Sequence, residues 1–197
     1  MFRCEEPVQK IDDSENVIIV RDNHSYAMFL PPDMLSVKRF RREIDTSLRD
    51  HHFLSEDVEQ IKLACDEALT NSITANLKNA SLETIICRWR IEQSTFYLLI
   101  MDYGKGVPTE KIVNIDAPNS LLDLIEKFKK NDKENPNFLP FNGICKKHKN
   151  MGQGLNIIKK IMDKVSIHYH RMDGILESFN DSVDGSILEM EFSSKKK

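Results

Sequence analysis

Three segments in a fixed order constrain the fold of this chain more than any other feature. Residues 57–77 carry apolar residues at helical spacing, which predicts an amphipathic helix that begins near Ser55. The run Thr95–Met101 is apolar and β-rich, which predicts a buried strand. Residues 155–162 again have the apolar spacing of a helix. Polar residues or glycines lie on or beside each of these three elements, and they are the candidate functional residues of the chain.

Glu67 and Asn71 lie four residues apart in the first helix, so both side chains leave the same face. An amide oxygen suits Mg²⁺, which takes oxygen ligands and is commonly held by one or two protein groups together with substrate phosphates. Glu67, one turn away, could accept a proton. The alternative is an ordinary solvated helix face, which is the favoured reading of an arbitrary Glu/Asn pair.

The predicted strand ends in Asp102, and Gly104 and Gly106 follow it. A carboxylate at a strand end can accept a hydrogen bond from an exocyclic amine such as that of adenine. The two glycines permit backbone conformations and a close ligand approach that a Cβ would forbid. The alternative is an ordinary turn between a strand and a loop.

A second glycine pair, Gly152 and Gly154, directly precedes the last predicted helix. Glycines at a helix N-terminus expose unpaired backbone N–H groups and the positive end of the helix dipole, which favour phosphate oxygens. The pattern is neither the dinucleotide fingerprint nor a Walker A loop, because the third glycine and the Gly-Lys-Ser/Thr ending are absent. A flexible hinge before a surface helix is the alternative.

In this order and at these separations, the three motifs resemble the N box and the two glycine boxes of the GHKL ATPase superfamily. Because the segment before Glu67 also fits without a gap, the chain most resembles the anti-sigma-factor serine/threonine kinases, from about Ile18 to Phe192. The resemblance implies an α+β fold, a two-layer sandwich with helices on one face of a mixed sheet. It also implies an ATP-dependent protein kinase that acts as an anti-sigma factor.

The resemblance also implies roles for single residues. Glu67 would be the general base for a protein hydroxyl, Asn71 the Mg²⁺ ligand and Asp102 the adenine reader. The residues that would shape the nucleotide pocket are Gly104, Gly106, Gly152, Gly154 and Leu155. Arg41 matches an arginine that lies near the nucleotide or the protein partner, although a guanidinium at Arg39 or Arg42 could pair with phosphate equally well, and a solvated basic face is the alternative for all three.

By the same resemblance the cofactors are ATP and Mg²⁺, and the partners are an anti-anti-sigma-type protein and a sigma factor, with a homodimer also compatible. Two positions depart from the family pattern, since Ser72 stands where Ala is common and Ala75 where His is common. The missing histidine and the long lid are both compatible with a rival function, a nucleotide-sensing module that sequesters a partner without phosphorylating it. An ATP-hydrolysing conformational clamp ranks last.

The chain is expected to form one domain over residues 16–193, after a flexible leader at residues 1–15 and before a basic tail at residues 194–197. Residues 107–151 are interpreted as an ATP lid that contains a helix from Ser120 to Lys130 and ends near the basic run Lys146–Lys149. Alternation predicts a final hairpin that pairs residues 165–170 with residues 186–192.

Composition fits a cytoplasmic regulator. A chain of 197 residues with 40% hydrophobic content suits one domain with an adequate core. A net charge of −3 argues against nucleic acid as a partner, and no apolar run approaches the ~18 residues of a membrane span. The four cysteines show no C-x-x-C spacing, which favours reduced thiols. The histidine pairs at residues 51–52 and at His168 and His170 are interpreted as structural rather than metal-binding.

Overall fold

The computed structural model describes residues 8–12, 17–22, 24–105, 153–176 and 178–194. Several predictions from the sequence lie outside these described residues. They are Gly106, Gly152, the lid over residues 107–151 with its helix Ser120–Lys130, the basic run Lys146–Lys149 and the tail from residue 195.

Eight strands and three helices make up the described chain. The strands are β1 (Val8–Asp12), β2 (Val17–Asp22), β3 (Ser25–Leu30), β4 (Ile85–Glu92), β5 (Thr95–Met101), β6 (Lys164–Arg171), β7 (Gly174–Leu176) and β8 (Gly185–Ser193). The helices are α1 (Met34–Asp50), α2 (Ser55–Lys78) and α3 (Gln153–Ile161).

The strands form one sheet in the order β1-β2-β3-β4-β5-β8-β6-β7. All of its described pairings are antiparallel, whereas the family resemblance implies a mixed sheet. The reason is that β6 runs in the same direction as β5 but does not pair with it, because β8 lies between them. The predicted two-layer α+β sandwich is confirmed.

The helices cover one face of this sheet. In β4, Cys87, Trp89 and Ile91 are buried, whereas the alternate residues Arg88 and Arg90 are exposed. The buried set forms a continuous core with the apolar faces of the three helices, and removal of this apolar area from water is the main favourable term in folding. The other face of β4 points away from the helices.

Each helix begins at a recognisable point in the sequence. α1 starts at Met34, directly after Asp33, which is its N-cap and accepts a hydrogen bond from the Ser36 N–H at 2.9 Å. The predicted start of α2 is confirmed. α2 starts at Ser55 with Glu56 and Asp57 in its first turn, although its N-cap residue makes no side-chain capping bond. α3 starts at Gln153, two residues earlier than its apolar pattern indicates.

The sheet includes strands β1 and β7, which lie outside the elements that the sequence predicts. The flexible leader expected over residues 1–15 contains β1, which pairs with β2 and supplies hydrogen bonds to an otherwise open strand edge. The predicted pairing of the last two long strands is confirmed, since β6 pairs antiparallel with β8. The connection between these two strands carries β7, which extends the sheet beyond β6.

Two of the four cysteines lie in the described part of the chain. Cys65 and Cys87 are buried free thiols, and burial raises the pKa of both. Within the described residues no cluster of three or more metal-ligating side chains occurs. Across this same part of the chain, every helix is too short or too polar to cross a bilayer.

Candidate nucleotide site

The first turn of α3 lies against the middle of α2. A Cβ added to Gly154 would lie 2.8 Å from Glu67 Oε2 and 3.0 Å from Asn71 Nδ2. A Cβ at these distances would have to displace the ends of the Glu67 and Asn71 side chains, so glycine leaves both side chains in place. Two of the predicted motifs therefore meet at one place.

Glu67 and Asn71 face the glycine from successive turns of α2. Glu67 is half-buried, and burial raises the pKa of its carboxyl, with a further upward contribution from the neighbouring Asp66 charge. Asn71 is exposed. The pair thus combines a carboxyl that holds its proton more tightly than usual with an accessible amide oxygen.

The third predicted motif lies at the end of β5. Asp102 is only 4% exposed, and its carboxylate accepts four hydrogen bonds. Its Oδ2 atom accepts from the hydroxyls of Ser72 and Ser186, both at 2.9 Å. Its Oδ1 atom accepts from the N–H groups of Gly104 at 3.1 Å and Ser186 at 3.3 Å.

These four donors oppose the effect of burial on Asp102. Burial raises the pKa of the carboxyl, whereas the hydrogen bonds from Ser186, Ser72 and Gly104 lower it. An ionised carboxylate is an acceptor at both oxygens, which is the form that four donors require. The carboxylate is thereby fixed in orientation at the rim of the sheet.

Sequence reasoning missed the contribution of β8 to this site. A Cβ on Gly185 would lie 1.8 Å from the Asp102 carbonyl oxygen, so glycine is needed for β8 to reach the end of β5. Ser186 then donates to Asp102 through both its hydroxyl and its N–H. The available signal was a glycine followed by a hydroxyl residue at the start of the last predicted strand.

The loop after Asp102 is tied to α2 and to β6. The Tyr103 N–H donates to Asn76 Oδ1 at 2.8 Å, and the buried His170 donates from Nε2 to the Asp102 carbonyl at 2.7 Å. The Tyr103 and His170 rings meet edge to face. The sequence pattern indicates neither Asn76 nor His170, because both are polar residues whose partners are far away along the chain.

Ala75 packs directly on the glycine loop. A Cβ at Gly104 would lie 2.3 Å from Ala75 Cβ and 2.7 Å from the Ala75 carbonyl carbon. The position that departs from the family pattern is therefore occupied by a small side chain in tight contact with the loop backbone.

Arg41 lies beside this site, at the interface of α1 and α2. Its Nε and Nη2 atoms both donate to Asp66 Oδ2, and the Nε contact is 2.8 Å long. The other oxygen, Asp66 Oδ1, is buried and has no donor among the described residues. Burial raises the pKa of Asp66, and Arg41 opposes that rise. Arg41 thus contacts the residue that precedes Glu67 rather than Glu67 itself.

One side of α2 links the two halves of the site. Glu67 and Asn71 lie with Gly154 at one end, and Ala75 contacts Gly104 at the other, about 12 Å along the helix axis from Glu67. Leu155 is half-buried and packs against the core. The arrangement places a fixed carboxylate at one end, and an amide oxygen with a carboxyl at the other.

Comparison with protein families gives a match to the histidine kinase-like ATPase domain over residues 30–176. The chain belongs to this family. Membership implies an ATP-binding domain, and the matched residues of this histidine kinase-like ATPase domain include Glu67, Asn71, Asp102, Gly104 and Gly154. Ser186 lies beyond the matched range.

The domain also resembles solved structures, of which 13 chains match. One belongs to the SiaB-SiaC complex from Pseudomonas aeruginosa, with a TM-score of 0.51 and 9% sequence identity over 84% of this chain and 88% of that chain. This likeness shows a shared fold. No curated protein sequence matches the chain.

Proposed function

We propose that this domain is an ATP-dependent serine/threonine protein kinase that acts as an anti-sigma factor and phosphorylates an anti-anti-sigma-type partner. The observation that carries the proposal is the contact of Gly154 with both Glu67 and Asn71, because it unites an acceptor for protons, a ligand for a hard cation and a helix N-terminus that favours phosphate. The family match supports the ATP-binding part of the proposal.

Each residue has one role in the proposed reaction. Asp102 would accept a hydrogen bond from the adenine amine. Gly104, Gly106 and Gly152 are proposed to shape the nucleotide pocket, and Gly104 does so through its close packing on Ala75. Asn71 holds Mg²⁺, which neutralises phosphate charge when bound. The start of α3, with Gly154 and Leu155, receives phosphate oxygens. Few further groups are needed, because phosphoryl transfer relies mostly on positioning and electrostatic stabilisation.

Glu67 is the proposed general base for the hydroxyl of the partner. Its raised pKa makes the carboxylate a stronger base than an exposed glutamate, since burial disfavours the ionised form. Arg41 is proposed to lie near the nucleotide or the partner, and its ion pair with Asp66 ties the guanidinium to the residue that precedes the proposed base.

The proposed partners are proteins, an anti-anti-sigma-type phosphoacceptor and a sigma factor, and the proposed location is the cytoplasm. The similar SiaB-SiaC structure is itself a complex of two proteins, which supports a protein partner for this fold. The rival function is a nucleotide-sensing module that sequesters its partner without phosphorylating it. Ala75 favours this rival, because it stands where the family commonly has histidine.

Nucleotide binding is tested first, by calorimetric titration of the wild type, Asn71→Ala and Asp102→Asn with ATP and ADP, with and without Mg²⁺. We expect Mg²⁺-dependent binding in the wild type, loss of the Mg²⁺ dependence in Asn71→Ala, and at least about a tenfold loss of affinity in Asp102→Asn because an amide would face the two hydroxyl donors. Glu56→Gln, an exposed change on the same helix, is the control. Absence of binding in the wild type would contradict the proposal.

Phosphoryl transfer is tested with ATP labelled at the γ-phosphate and candidate anti-anti-sigma-type proteins from the same host. The kinase proposal expects label on a serine or threonine of the partner, and loss of label with retained ATP binding in Glu67→Gln. ATP-dependent complex formation without labelled partner would instead support the sequestering module.

A further inference from the structure

The carboxylate of Asp102 is already supplied with as many donors as it can accept. An ionised carboxylate offers about four lone-pair positions on its two oxygens. Within the described part of the chain, Ser72, Gly104 and Ser186 together supply four donors to them. The amine of an adenine base would be a further donor. One of these hydrogen bonds must therefore break before the proposed adenine reader can accept the base.

The two hydrogen bonds to Oδ1 come from backbone N–H groups that the fold holds in place. The Ser186 N–H is one of them, and the Asp102 N–H donates in return to the Ser186 carbonyl at 3.0 Å. The Gly104 N–H is the other, in a loop whose backbone packs on Ala75 without room for a methyl group. Neither N–H can turn away unless the backbone moves, so an exchange of donors is confined to Oδ2.

The Oδ2 atom accepts from two hydroxyls, which differ in the alternatives open to them. Both hydroxyls, of Ser72 and Ser186, lie 2.9 Å from Oδ2. Ser186 belongs to a strand, and strand carbonyls point sideways to the neighbouring strands rather than towards side chains. A displaced Ser186 hydroxyl would therefore depend on water in the pocket that the base is to enter.

Ser72 lies in α2 and has a second acceptor within its own helix. Serine and threonine hydroxyls in helices can bond to the carbonyl four residues earlier. Thr74 of the same helix does so, since its hydroxyl donates to the Thr70 carbonyl at 2.8 Å. For Ser72 that carbonyl belongs to Ala68. Ser72 is only 4% exposed, so its hydroxyl has two positions, on Asp102 and on Ala68, that are both inside the protein.

We propose that Ser72 is a specificity-determining residue, whose hydroxyl competes with the amine of the nucleobase for Oδ2 of Asp102. Without nucleotide, the hydroxyl occupies this acceptor position. When adenine binds, the amine takes the position and the hydroxyl turns to the Ala68 carbonyl. The exchange replaces one hydrogen bond to the carboxylate by another, so the wild type gains little affinity from the amine. This inference rests on the proposed binding of ATP, and it adds that the site discriminates weakly between purines with and without an amine.

The competition is a property of this chain rather than of the motif. Ser72 stands at a position where alanine is common, and an alanine has no hydroxyl to donate. With alanine there, Oδ2 would keep one donor, from Ser186, and one free acceptor position for a base. The substitution Ser72→Ala therefore removes the competitor and leaves the other three donors in place.

Calorimetric titration with two nucleotides tests the competition. One is ATP, and the other is purine riboside triphosphate, which has hydrogen in place of the amine. We expect the wild type to bind the two with affinities within about threefold of each other. Ser72→Ala should bind ATP about tenfold more tightly than the wild type, because the amine meets an unoccupied acceptor position on a carboxylate. Its affinity for purine riboside triphosphate should not change, whereas a general loosening of the fold would alter both affinities.

Two further variants support the comparison. Thr46→Val removes a helix hydroxyl at an exposed position of α1, where it donates to a carbonyl of its own helix, and it should leave both affinities unchanged. Ser72→Cys keeps the size of the side chain but has only a weak thiol donor, so it should also gain affinity for ATP alone. It replaces Ser72→Ala if the smaller side chain unfolds the protein, and urea unfolding checks the fold of each variant.

The possible failures are distinct. A wild type that does not bind ATP would overturn the proposed function and this inference together. ATP binding that stays the same or weakens in the Ser72 variants would overturn the inference alone, and so would an equal gain for both nucleotides. A wild type that binds ATP more than about tenfold more tightly than purine riboside triphosphate would also overturn it, because the amine would then meet no competitor.

Discussion

At the scale of single residues, Gly154 illustrates what a missing side chain contributes. The residue begins the turn that brings α3 against α2, and the space where its Cβ would lie is bounded by Glu67 Oε2 and Asn71 Nδ2. The sequence contains a glycine before a predicted helix at this point, but it does not indicate which side chains lie where the Cβ would be. That information depends on the packing of two helices that are remote in sequence.

Substitution Gly154→Ala should separate binding from stability. Alanine is favoured over glycine in a helix by about 1 kcal/mol, so the free energy of unfolding should stay the same or rise slightly. The new methyl group would displace the flexible end of Glu67, and we expect Mg²⁺·ATP affinity to fall by about tenfold or more. Calorimetric titration and urea unfolding measure the two quantities.

Lys159→Ala, an exposed change in the same helix, serves as the control for that comparison and should leave ATP affinity unchanged. Equal ATP affinity in Gly154→Ala and the wild type would remove Gly154 from the site.

At the scale of elements, α2 shows why a helix can be predicted more easily than its contacts. Its apolar period predicts both ends within about two residues, as expected for a long, strongly periodic segment. Ser72 and Asn76 are buried like the apolar residues of this helix, but they are polar and do not contribute to its apolar period. Their partners, Asp102 and Tyr103, become apparent only when β5 is placed beside the helix.

Substitution Gly104→Ala tests the contact between α2 and the loop after β5. Its Cβ would lie 2.3 Å from Ala75 Cβ and 2.7 Å from a backbone carbon, and backbone cannot rotate aside as a flexible side chain does. We expect the free energy of unfolding to fall by about 1–3 kcal/mol, the usual cost of overpacking. Urea unfolding measures the change.

The neighbouring exposed residue provides the matched control, and Lys105→Ala should unfold like the wild type. A Gly104→Ala variant of undiminished stability would mean that the loop and α2 can move apart freely.

At the scale of the whole molecule, the candidate site should be a source of pH-dependent instability. Because burial raises the pKa of Glu67 in the folded state, the folded chain binds this proton more tightly than the unfolded chain. The stability that protonated Glu67 contributes is fully present below the ordinary pKa of glutamate. It is lost as the pH rises through the raised pKa that Glu67 has in the folded state.

Glu67→Gln should therefore stabilise the fold at neutral pH and leave it almost unchanged at low pH. The difference in unfolding free energy between variant and wild type should grow as the pH rises through the window between the unfolded and folded pKa values. Urea unfolding at a series of pH values measures it, with Glu56→Gln as the exposed control. A difference that is independent of pH would contradict this expectation.

The arrangement of the whole sheet exceeds what the sequence indicates. Alternation predicts β5, β6 and β8 as strands, and the hairpin of β6 with β8 follows from their order. The insertion of β8 beside β5 does not, because it depends on side chains that meet only in three dimensions, such as Gly185 against Asp102. The mixed sheet expected from family resemblance is antiparallel for this reason.

The hydrogen bonds from β8 to Asp102 can form only late in synthesis of the chain. Eighty-four residues separate Asp102 from Ser186, the donor of two of its four hydrogen bonds. At about 5–20 residues per second, a ribosome needs roughly 4–17 s to make that stretch. During this interval β5 lacks one of its two neighbouring strands, and its free edge is open to pairing with other nascent chains. Chaperones that bind exposed strands would have their best opportunity in those seconds.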